Sequence, residues 1–195
     1  MGREAGARVR THAALNNLNV FSVQPSDERR FEVVASGLPS YHGAQVAVDA
    51  TLVSPLTRKG TARPRADWED GAALKDARKL KATTYPELQS SRRCKLVTAG
   101  MEVGGRWDEN AYEFLLELAD AKAQQAPLVL RGSATRAWLK RWVALLFKAA
   151  MDSFASTLVY GTAENTELWN GPPPALGVVL CSAPEPPEVS RLGLR

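Results

Sequence analysis

Glu32, Asp49 and Lys81 are residues whose types together suit one chemistry, the hydrolysis of a phosphate ester at a bound cation. A hard cation such as Mg²⁺ takes one or two carboxylates and keeps several waters for a substrate phosphate. A lysine beside such an ion can orient the attacking water or stabilise charge developing on the phosphate. Asp49 stands in the middle of "AQVAVDATLVSP", residues 44–55, a run that alternates like a half-buried strand. Val46, Val48, Ala50 and Leu52 then share one face, and Gln45, Asp49 and Thr51 the other. Aspartate is depleted in strands, so the polar face is either washed by solvent or is a site. Glu32 lies in the preceding β-rich run, "FEVVAS", so the two carboxylates could meet at one ion.

Lys81 follows from helical spacing. At about 100° per residue, Leu74, Ala77, Leu80, Thr84, Tyr85 and Leu88 fall within one arc, and Lys81 lies inside it while Lys75 and Lys79 point elsewhere. A lysine on an inward face either snorkels, its stem packed and its ammonium in water, or serves the carboxylates. Glu102, ending a later strand before a glycine turn, is a third candidate acid or a solvated strand end. Trp138 and Trp142, at i and i+4 beside Arg136, Lys140 and Arg141, read as core more readily than as a surface for stacking bases. The phosphate-binding GxxxxGK[ST], HExxH and GxSxG signatures are absent. "GMEVGG" lacks dinucleotide-loop spacing and reads as a turn before a helix.

These residues need elements to hold them. "GREAGA" reads as the tail of a helix whose start is missing, and "ARVRTH" as a first strand. "FEVVAS" (31–36) is a second strand and 44–55 a third. Residues 54–71, rich in Pro, Gly and charge, read as a long exposed loop. A helix runs from Ala72 to about Tyr85, where Pro86 discourages continuation. "CKLVTAGMEV" (94–103) is a fourth strand. Asp108 is a fitting N-cap for a helix to about Gln125, and a longer helix covers roughly 133–158. The order implies a mixed α/β or α+β fold in one domain over residues 1–160. The tail from Gly161, with "GPPPALG" and "APEPPE", is expected to be disordered.

The 195 residues, 45% apolar, are enough to build a core without disulfides. Cys94 and Cys181 lie far apart, no secretory signal precedes them, and two cysteines with two histidines make no zinc spacing, so a reducing intracellular compartment is expected. No apolar run approaches the roughly 20 residues that span a bilayer. The net charge of +4 is unevenly spread. Residues 58–95 hold eleven bases against five acids, residues 131–148 five against none, and residues 102–125 six acids against two bases. Such segregation permits a basic patch for phosphate, although solvated helix faces give much the same count.

The chain resembles the restriction-like endonuclease domain of the PD-(D/E)XK superfamily, in the version that follows reverse transcriptase in retrotransposon polyproteins. "RRFEVV" supplies the first acid as Glu32, "AVDATLV" the second as Asp49, and "KATTY" the lysine as Lys81 with Tyr85 four residues on. In place of Pro-Asp the first motif reads Phe31-Glu32, and Thr51 stands where many relatives carry the lysine, as in the branch that has moved it to the following helix. The resemblance spans roughly residues 4–120. It implies an αβββαβ core followed by two further helices, the first helix being truncated in this chain. It also implies Mg²⁺- or Mn²⁺-dependent nicking of DNA, with Glu32 and Asp49 as metal ligands, Lys81 as the third catalytic group, and Thr51, Tyr85 and Glu102 as accessory residues. Arg58, Lys59, Arg63 and Arg65 would grip the DNA backbone. A reverse transcriptase domain would be the partner in the parent polyprotein, and the location nuclear. The alternative is a decayed fragment that at most binds nucleic acid.

Overall fold

Short runs rich in valine and alanine become four strands in the computed structural model, which describes residues 1–18, 20, 23–57 and 59–160, and apart from these 175, 177, 178 and 181. Strands β1 (Arg8–Ala14), β2 (Arg30–Ser36), β3 (Gln45–Val53) and β4 (Cys94–Glu102) form one sheet in the order β1-β2-β3-β4. The first two pairings are antiparallel and the third is parallel. A parallel pair needs a crossover long enough to return the chain to its starting edge. The segment between β3 and β4 provides it, with helix α1 (Ala72–Thr84) and the short α2 (Pro86–Gln89). Helices α3 (Glu109–Ala123) and α4 (Arg131–Tyr160) complete a mixed α/β architecture.

Helices and loops cover the centre of the sheet on both faces. On one face Val46 packs with Ala35, Val97, Phe114, Leu118, Trp138 and Trp142. On the other, Ala47 packs with Val34, Phe31, Leu88, Tyr85 and Cys94. The expected half-buried strand is therefore corrected: Val46 and Ala47 are both fully buried, Asp49 is 2% exposed, and Leu52 on the supposed core face is 36% exposed. An interior strand covered on both sides loses the simple in-and-out alternation.

The tryptophan pair belongs to this core. Trp138 and Trp142 stack tilted, 5.6 Å between centroids, and the indole N–H of Trp142 donates to Glu4 Oε2 at 2.7 Å. A buried indole needs such a partner. Asp108 caps α3 by accepting from the Asn110 amide at 3.2 Å, which satisfies one of the helix's unpaired N–H groups.

Two further expectations differ from the structure. Residues 2–6 form hydrogen-bonded turns, not the end of a helix; Gly6, at φ +92°, takes a left-handed conformation that turns the chain into β1. Loop 54–71 is the expected long, mostly exposed loop, with an antiparallel bridge between Leu56 and Ala62 and successive turns leading into α1. Leu80, assigned to the inward face of α1, is 65% exposed, and Thr84 is exposed as well. Among the described residues no helix is long and apolar enough to cross a membrane. The Pro-rich tail lies outside the described residues, apart from four of its positions.

Candidate functional site

Asp49 is carried by the interior strand, beside Thr98 of β4 in the parallel register, and both side chains are buried. The ladder between β2 and β3 covers Val33 to Ala35. At the next position along β2, Glu32 places its carboxylate against β3, where the Ala50 amide donates to Glu32 Oε2 at 3.2 Å. A side chain thus takes an amide that a regular ladder would give to backbone. Although the residue as a whole is exposed, partial desolvation of its carboxylate against β3 raises the Glu32 carboxyl above its ordinary value, and the neighbouring Asp49 charge adds to the rise.

Lys81 arrives from α1. Its Nζ lies 2.8 Å from Asp49 Oδ2, with the lysine side chain 26% exposed and the aspartate 3%. The ammonium meets the carboxylate and keeps one side toward solvent, so the stem packs as a snorkelling lysine would while the charge is engaged. The approach makes an ion pair without hydrogen-bond geometry, and Asp49 Oδ2 is buried without a hydrogen bond.

Tyr85 closes the inner side. Its ring lies 4.6 Å from that of Phe31, and the Arg29 guanidinium stands 5.6 Å from its centroid. Arg29 is held in turn by Glu87 at 2.6 Å and by Asp27. Burial, then the charge of Asp49 and a hydrogen bond to it, push the Tyr85 hydroxyl up to about 12. Glu32, Asp49, Lys81 and Tyr85 therefore converge from β2, β3, α1 and its C-cap.

The other candidates do not all join them. Thr51 lies half-buried two residues further along β3, and among the described residues no hydrogen bond ties it to the cluster. Glu102, buried at the end of β4, sits four residues beyond Thr98, about 13 Å along the strand from the Asp49 position. Its carboxylate faces Arg106 Nε at 3.8 Å, so the structure separates it from the acid pair.

Of the loop cations, Arg58 lies outside the described residues. Lys59 is exposed. Arg63 donates through Nε to the Ser54 carbonyl at 2.8 Å. Arg65 pairs with Glu69 at 3.1 Å and Asp76 at 2.9 Å, so its charge is spent inside the protein rather than free for a backbone phosphate.

A second ion pair on the same side of α1 was not anticipated. Arg78 Nη1 lies 3.3 Å from Oδ1 of Asp108, which is 4% exposed. Burial raises the Asp108 carboxyl, with Arg78 pulling the other way. Leu74, Arg78, Lys81 and Tyr85 follow i, i+4, i+7 and i+11, a regular helical stripe. Treating Leu80 as inward concealed Arg78. A cleft of about 630 Å³ between β4 and α3, lined among others by Tyr41, Lys95, Glu113 and Glu117, contains none of the expected site residues.

Among the described residues no three His, Cys, Asp or Glu side chains form a metal-binding group. Two adjacent carboxylates are enough for an ion that needs only one or two protein ligands, with Asp49 Oδ2 already engaged by the Lys81 ammonium at 2.8 Å. Compared with family models, curated proteins and solved structures, the chain finds no match in any of the three.

Proposed function

We propose that this chain is a metal-dependent DNA endonuclease of the restriction-endonuclease-like kind, derived from a retroelement. The observation that carries this reading is the convergence of two carboxylates, a lysine and a tyrosine from separate elements, centred on the 2.8 Å approach of Lys81 to Asp49. A β-strand triplet followed by a helix and a parallel fourth strand is the layout that such an enzyme needs to bring them together. Glu32 and Asp49 would hold Mg²⁺ or Mn²⁺, which supplies a nucleophilic water at neutral pH and offsets the charge of the scissile phosphate. Lys81, already paired with Asp49, stabilises negative charge as it grows on the phosphate. Tyr85 lies against Asp49 from the buried side. Exposed cations such as Lys59 attract the DNA backbone without reading bases. The parent polyprotein's reverse transcriptase domain and a nuclear site of action belong to the same proposal.

A second reading, a nucleic-acid-binding module without catalysis, is favoured by the small donor set, since Glu102 stands apart. Nicking of supercoiled plasmid separates the two. The expected result is nicking with Mg²⁺ or Mn²⁺, none with EDTA, and none by the Asp49→Ala variant. A folded protein that binds plasmid but leaves it intact would establish the binding module instead.

A further inference from the structure

We infer that Asp108 is a positioning residue for the cluster of Glu32, Asp49 and Lys81, acting through Arg78 to hold α1 at the rotation that sets Lys81 over Asp49. The inference rests on the endonuclease reading for its catalytic consequence, and on geometry alone for its structural one.

Asp108 does two things with its two oxygens. Oδ2 accepts the Asn110 amide and so starts α3, while Oδ1 faces Arg78 Nη1 at 3.3 Å. The residue is thereby tied to the β4–α3 junction, and its Cβ lies 3.1 Å from where a side chain on Gly100 would begin. Leu74 of α1 lies 3.2 Å from the same point. Gly100 of β4, Asp108 and α1 therefore meet so closely that a methyl group on Gly100 would have to push its neighbours back by a few tenths of an ångström. Arg78 is three residues before Lys81 on the same stripe of α1, so the two cations project about 5–6 Å apart at their Cβ atoms. Each meets a carboxylate on the covered side of the sheet, Lys81 that of Asp49 and Arg78 that of Asp108.

A helix pinned at one point can still roll about its axis. Two ion pairs one turn apart, closed by the packed Leu74, remove that freedom. The rest of the inward side of α1 offers little grip, because Ala72, Ala73 and Leu74 are the buried residues of that helix and all lie in its first turn. Between that turn and Tyr85, which is buried at the C-cap, the two charged pairs are what hold the middle of the helix at its rotation.

The test is a double-mutant cycle on Asp49 and Lys81, using Asp49→Asn and Lys81→Met, read as equilibrium unfolding in the parent, in Asp108→Asn and in Arg78→Gln. Asparagine caps a helix about as well as aspartate, so Asp108→Asn keeps the start of α3 and removes only the charge. Arg78→Gln probes the same contact without touching the cap. In the parent the Asp49–Lys81 coupling is expected to be about fivefold in the unfolding equilibrium, and in either background to fall within about twofold of none. Arg78→Lys, which keeps the charge, should restore part of it. Unchanged coupling in both backgrounds would overturn the inference, as would an absence of coupling in the parent.

Nicking adds an independent readout. Asp108→Asn should lower kcat about tenfold or more at unchanged KM, with no further loss when Lys81→Met is already present. A parent that does not nick removes the endonuclease reading and leaves the coupling cycle to decide the role of Asp108.

Discussion

Glu32 and Asp49 bring two carboxylates together, and Glu32 responds by holding its proton to higher pH than a free glutamate. A carboxyl whose folded value is raised adds stability while protonated and loses it as pH rises through that raised value. Glu32→Gln should therefore stabilise the fold near neutral pH, and the gain should vanish in acid below the ordinary glutamate value. Because the side chain is largely exposed, screening keeps the gain under about 1 kcal/mol. Urea titrations at several pH values would measure it, and the same variant should lose nicking. Lys81→Met should behave in the opposite way. It leaves the buried Asp49 charge without its ion-pair partner, a loss of roughly 1–3 kcal/mol. Adding Asp49→Asn to Lys81→Met should recover most of that, since the uncompensated charge is then gone.

Elements meet the site through their rotation and spacing. Helix α1 presents Leu74, Arg78, Lys81 and Tyr85 to the sheet, and its approach depends on the bare backbone at Gly100. Gly100→Ala forces a Cβ to within 3.1 Å of Asp108 and 3.2 Å of Leu74. The expected cost is about 1–3 kcal/mol, as for other overpacked cores, read by thermal unfolding. If α1 moves outward to relieve the clash, nicking should fall by more than the lost fraction of folded protein explains. The loop before α1 divides its cations by the same logic. Arg65 is committed to Glu69 and Asp76, while Lys59 projects freely.

At the level of the full chain, the proposed endonuclease, with a net charge of +4, should show weak, salt-sensitive attraction to DNA. Each phosphate neutralised by a side chain contributes about 0.9 to the slope of log affinity against log salt. Lys59→Ala should reduce the measured slope by about that amount. Arg65→Ala should leave the slope unchanged and instead lower stability by up to about 1 kcal/mol, because its charge holds the loop to α1. Fluorescence anisotropy on a duplex across a salt series separates the two variants. Equal slopes for parent and Lys59→Ala would remove the loop from the binding surface.

From β1 onward the order of the strands and the longer helices, the break at Pro86 and the cap at Asp108 were legible in the residues, because periodicity, proline and capping act over a few positions. So was the pairing of types that drew attention to Glu32, Asp49 and Lys81. Burial on both faces of β3 was not legible, since it depends on what folds over the strand from elsewhere in the chain. The rotation of α1 escaped for a related reason: a helix whose buried apolar residues are confined to its first turn has no continuous stripe from which to read its inward side. Packing chose Arg78 over Leu80, joined Asp108 to α1 and left Glu102 about 13 Å along the strand from the acid pair. Contacts between residues far apart in the chain made those choices, and local spacing carries no record of them.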